Sequence, residues 1–112
     1  MSESSGQERQ KTLADFGEAV NMTAGELEEW LATDQSRRVG QKDGGEPTGH
    51  ASGRRIVKLL RTRKSELDDD DLAHMRKVTS YVRRHLAQRP EGDAGDTPWR
   101  YSLMNWGHDP EK

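Results

Sequence analysis

A chain of 112 residues with 34% charged and 29% hydrophobic side chains has room for one small domain and a thin core. Leu, Ile, Val and Phe fill 16 of the 112 positions, short of the roughly 20% kept by ordinary globular domains, yet a formal net charge of -2 is too small for disorder driven by self-repulsion. With no cysteine there is neither a disulfide framework nor a thiolate site, and no apolar run approaches the roughly 20 residues of a membrane span.

The first eight residues are polar and Ser-rich, which predicts a disordered N-terminal tail (1–8) ahead of a single helical domain over residues 9–110. They carry neither the basic nor the apolar region of a secretory signal, so a cytoplasmic location is expected. A first helix is predicted from about Gln10 to Val20, with Leu13, Phe16, Gly17 and Val20 on one face. Thr23 and Glu26 then have the spacing of a capping box, opening a second helix with Leu27, Trp30 and Leu31 on a stripe and Met22 as a candidate staple. Residues 34–53, with Gly40, Gly44, Gly45, Pro47, Gly49 and Gly53, predict a long loop of the kind that is functional or disordered.

A third helix is expected from near Ser52 to near Lys64, with Ile56, Val57, Leu59 and Leu60 inward and Arg54, Lys58 and Arg61 outward. After a short turn, the fourth runs from about Asp69 to Ala87 and buries Leu72, Met75, Val78, Val82 and Leu86. Lys77, Ser80, Arg84 and Gln88 oppose that stripe, with Arg76 and Arg83 on one flank and His74, Tyr81 and His85 on the other. Pro90 ends it. Trp99, Tyr101 and Leu103 alternate with Arg100 and Ser102, which predicts an extended segment laid over the helices. The expected fold is therefore all-α: four helices, a long Gly-rich loop and an extended aromatic C-terminal segment.

The small net charge conceals large local ones. Residues 1–36 sum to -6, 37–67 to +6, 68–71 to -4, 72–89 to +5 and 90–112 to -3. Two basic blocks thus survive inside a near-neutral chain, and local patches, not totals, steer a polyanion. In the first, a glycine-rich approach leads into a basic helix, where Ser52, Gly53, Arg54 and Arg55 offer backbone and forked guanidinium donors to phosphate. Arg54, Arg55, Lys58, Arg61, Arg63, Lys77 and Arg84 are the expected side-chain contacts, on two helices joined by a short turn. An ordinary capped helix with a solvated arginine face fits the same residues, and the acidic N-terminal block is long enough to cover it.

Asp68 to Asp71 lack the alternating ligands and glycine of a calcium loop and are read as cap and dipole partners. His74 and His85 stand about 16 Å apart along a helix, too far for a two-His chelate, and no Ser/His/Asp set can be anchored; neither metal nor cofactor is expected. Trp99, Tyr101 and Trp106 suit a stacking platform for bases, but in a chain so poor in apolar residues they are expected to complete the core.

Phe16–Thr23, Glu26–Leu31, Gly49–Val57, His74–Val78, Arg84–Pro90 and above all Trp99–Pro110 resemble a family of small bacterial and fungal proteins whose domain has no assigned function. The resemblance covers about residues 13–110; members are sometimes labelled DNA-binding proteins, and no active site comes with it. Together the residues and the resemblance lead to the expectation of a non-enzymatic nucleic-acid-binding protein, with DNA ahead of RNA and no membrane partner. The alternative is a protein-interaction module, a homo-oligomer among the options, in which acidic and basic faces pair between chains.

Overall fold

The computed structural model describes residues 2–39, 48–92, 95 and 97–112, and the side chains from residue 6 onward except that of residue 48. Among them are six α-helices and no strand: α1 (Ser2–Ala19), α2 (Ala24–Leu31), α3 (Asp34–Arg38), α4 (Thr48–Leu60), α5 (Asp69–Leu86) and α6 (Pro98–Asn105), with a 3-10 turn at Lys64–Glu66. The all-α class stands, with two more helices than the periodicity gave.

Side-chain caps set several of the boundaries. Thr23 and Glu26 form the expected capping box, the Thr23 hydroxyl accepting from the Glu26 amide at 3.1 Å and the Glu26 carboxylate accepting from the Thr23 amide at 2.9 Å. Asp68 and Asp71 repeat the device at the start of α5, at 2.8 and 3.1 Å. Thr33 caps α3 and Thr97 caps α6, where Pro98 occupies the first turn.

Four boundaries differ from the sequence expectation. α1 reaches back to Ser2 through the segment expected as a tail; Arg9 donates to the Leu67 carbonyl at 3.3 Å and to that of Lys64, and a docked helix propagates cheaply. Within 34–53, Thr33 nucleates α3 and α4 starts at Thr48, so Gly49 and Gly53 are helical; residues 40–47 lie outside the described part. α4 ends at Leu60, which is 37% exposed, not inward. The C-terminal segment is a helix, not a strand, because Trp99, Leu103 and Trp106 follow i, i+4, i+7 as well as alternation.

α5 packs along α1 and α4 along α2, while α6 touches α2, α3, α4 and α5. The core contains Phe16 and Val20 of the α1 end, Leu27 and Leu31, Ile56, Val57 and Leu59, the α5 stripe Leu72, Met75, Val78 and Val82, and Leu103 and Trp106. Two glycines make the central position of α6 accessible. A Cβ on Gly53 would stand 2.5 Å from the Asn105 carbonyl oxygen and 2.6 Å from Leu31 Cδ2. Gly107 follows α6 with φ 85° in a Schellman turn, the His108 and Gly107 amides donating to Leu103 and Met104 carbonyls at 3.0 Å each.

Gly53→Ala is expected to lower stability by about 1–3 kcal/mol through overpacking, despite alanine's better helix propensity. Gly17→Ala, whose Cβ meets nothing within 4 Å, is expected to raise it by up to about 1 kcal/mol. Urea midpoints of the two variants against the parent chain check both signs.

Candidate functional site

The residues singled out by sequence as phosphate contacts separate into three groups. Ser52 and Gly53 face inward, Ser52 at 5% exposure and Gly53 beneath Asn105, so neither lies on an open phosphate cradle: the helix begins four residues earlier, at Thr48. Arg61 makes a forked pair with Glu28 of α2, at 3.0 and 3.3 Å, and Arg63 is exposed in the turn after α4. Arg54, Arg55 and Lys58 on α4 and Lys77 and Arg84 on α5 are all exposed.

Arg54, Arg55 and Lys58 form one wall of an open groove of about 580 Å³, whose other wall carries Glu66, Asp68 and Asp71. Arg55 reaches Asp71 at 3.5 Å. One turn beyond Asp71 stands His74, its Nε2 3.0 Å from the Ser52 hydroxyl of α4. Burial, followed by the positive charges of Arg55 and Lys77, holds its pKa below the usual 6.5, with Asp71 opposing them.

His74 also begins a ladder of near-parallel rings. Its centroid lies 6.4 Å from that of Trp106, Trp106 lies 4.2 Å from Tyr81, Tyr81 5.2 Å from His85, and His85 6.0 Å from Trp99. The guanidinium of Arg89 closes the far end, 5.4 Å over Trp99. The two flanks expected on α5 thus both find partners. His74, Tyr81 and His85 turn to α6, and Arg76 and Arg83 turn to α1, where Arg76 meets Thr12 at 3.4 Å and Arg83 meets Asp15 at 3.3 Å.

Ring N–H groups also serve helix C-termini, which leave carbonyls without intrahelical partners. His108 Nδ1 donates to the Ala19 carbonyl at 2.7 Å, His50 Nε2 to that of Leu31 at 2.9 Å, and Trp99 Nε1 to that of His85 at 2.7 Å. Sequence reasoning missed these roles; the signal was the placement of His and Trp within reach of helix ends known only after folding. Ser52, His74 and Asp71 bring together the residue types of a nucleophilic triad, but Ser52 lies inside a packed helix and the Asp71 carboxylate is held by the Asp68 amide and Arg55. The Ser52–His74 bond ties α4 to α5. Among the described residues no three His, Asp or Glu side chains converge in a metal-binding group, and no helix is long and apolar enough to cross a membrane.

Two histidines with depressed pKa values make stability depend on pH. Burial is the main cause for both His74 and His85; the Trp99 carbonyl partly offsets it for His85. The unfolded chain binds protons near the ordinary 6.5 while the folded chain resists them. Stability is therefore full above that value and falls as pH drops through it. The urea midpoint is expected to decline from about pH 7 to about pH 5, less steeply in the His85→Gln variant. A second decline is expected below about pH 4, as Asp15, Glu26, Asp71 and Asp109 lose pairings that lower their pKa values. A flat profile between pH 7 and pH 5 contradicts the first part.

Comparison with curated proteins and with solved structures finds no match. One family model matches residues 15–104, described only as a protein of unknown function (DUF3140). That span holds Arg54, Arg55, Lys58, Lys77 and Arg84 and every ring of the ladder except Trp106, and the chain belongs to this family.

Proposed function

We propose that the protein binds duplex nucleic acid, DNA first, through a cationic strip formed by Arg54, Arg55 and Lys58 of α4 and Lys77 and Arg84 of α5. The observation that carries this is the exposure of all five cations on two helices that the Ser52–His74 bond ties together at 3.0 Å. Phosphate contacts from such a strip are sequence-independent and salt-sensitive. The ring ladder favours duplex over single strand: Trp106, Tyr81 and His85 already stack on one another, and Trp99 is covered by His85 and Arg89, so their faces are not open to unpaired bases. The acidic start of α5 borders the strip and repels a phosphate backbone, directing it toward Lys77 and Arg84. Binding without chemistry, in the cytoplasm, belongs to the same proposal.

Affinity for a labelled duplex of about 20 base pairs is expected to fall with a slope of about -4.5 in log K against log salt, five cations contributing roughly 0.9 each. Lys58→Glu combined with Lys77→Glu is expected to weaken binding more than tenfold at about 50 mM salt, whereas Arg61→Ala, whose partner is Glu28, leaves it nearly unchanged. No retardation at low salt overturns the proposal. A mass that rises with protein concentration and falls with salt, in the absence of DNA, supports instead the pairing of acidic and basic faces between copies.

A further inference from the structure

The groove beside the strip has an anionic wall, which a surface built only to hold phosphate would not carry. Arg54, Arg55 and Lys58 stand on one side of it, Glu66, Asp68 and Asp71 on the other. Asp71 reaches across: its Oδ1 lies 3.5 Å from Nη2 of Arg55. Its other oxygen, Oδ2, accepts from the Asp68 amide at 3.1 Å, while the Asp71 amide donates to the Asp68 carboxylate at 2.8 Å. The capping box thus fixes a carboxylate at the edge of the groove, one oxygen held and the other turned to Arg55. The Asp68 amide, against partial desolvation and with help from Arg55, holds its pKa below the usual 3.8, so it is charged at neutral pH.

Given that the strip is the binding surface, we infer that Asp71 is its built-in competing anion: the carboxylate engages Arg55 in the free protein and gives way when a phosphate takes the guanidinium. The exchange is physically open. The pair is longer than a good hydrogen bond, its side chains are 43% and 25% exposed, and surface pairs of this kind hold weakly. A phosphate offers Arg55 a forked contact with two oxygens, which a single approach at 3.5 Å does not supply. Release of Arg55 leaves α5 capped, because the Asp68 amide bonds the other carboxylate oxygen. A fixed negative charge then remains beside the bound phosphate. Asp71 therefore lowers affinity twice, by competition before binding and by repulsion after it. The strip holds a duplex less tightly than its five cations alone would, which keeps the complex readily reversible.

The test is a double-mutant cycle on the full chain, read as affinity for a duplex of about 20 base pairs at about 100 mM salt. Asp71→Asn, whose amide oxygen can still accept from Asp68, is expected to bind about two- to fivefold more tightly than the parent. Asp70→Asn makes the same change of charge at an exposed residue outside the groove lining, and a smaller gain is expected from it. In an Arg55→Ala background the gain from Asp71→Asn is expected to shrink to that of Asp70→Asn. An Asp71→Asn chain no tighter than the parent, an equal gain from Asp70→Asn, or an undiminished gain beside Arg55→Ala each overturns the inference. Asp71→Gln, which suits the same capping position, repeats the measurement should Asn fail to hold the helix start. Absence of duplex binding by the parent and every variant at low salt instead removes the strip itself, so the two failures are distinguishable.

Discussion

One buried carboxamide fixes the geometry on which the rest depends. Asn105, 1% exposed, accepts from the Trp30 indole of α2 at 2.7 Å and from the Ser36 hydroxyl of α3, and donates to the Ser36 carbonyl at 3.0 Å. Its own backbone carbonyl rests against Gly53 of α4. A buried polar group left without a partner costs about 1–3 kcal/mol, so α6 cannot slide or turn without breaking bonds to two helices at once. Trp106, the next residue, is thereby aimed at α5, and the ring ladder and the placement of His74 follow. A polar residue supplies register where a small apolar core would supply only adhesion.

The same economy recurs at the helix ends. Among the described residues every buried side-chain nitrogen or oxygen has a hydrogen-bond partner, and three ring N–H groups find theirs in carbonyls at helix ends. In a chain with only 16 Leu, Ile, Val and Phe residues, an imidazole or indole both covers apolar surface and satisfies a carbonyl that would otherwise need water. His50, Trp99 and His108 are structural in this sense, whereas His85 and His74 join α5 to its neighbours, His85 through the Trp99 carbonyl and His74 through the Ser52 hydroxyl.

Much of this was legible in the sequence because it is local. The Thr23–Glu26 box, the aspartates at the start of α5, the α5 stripe from Leu72 to Val82, and both of its flanks follow from spacing of three or four residues. What was not legible is long-range. Gly53 reads as a loop residue until Asn105, 52 positions later, requires its missing Cβ. The Trp99–Leu103 segment satisfies both strand and helix periods, and only the Thr97 cap and the Gly107 turn decide between them. For the candidate surface, exposure of Lys58 and Lys77 was readable, whereas the Arg61–Glu28 pair joins residues 33 apart and needed the fold.

The position of α6 in the chain has a consequence for biosynthesis. Leu103 and Trp106 fill the space among Leu27, Ile56 and Val78, yet they are translated after all of them. At about 5–20 residues per second, α6 is begun on the order of a second after α5 is finished. The last helix to be made therefore supplies part of the cover for core residues made long before it.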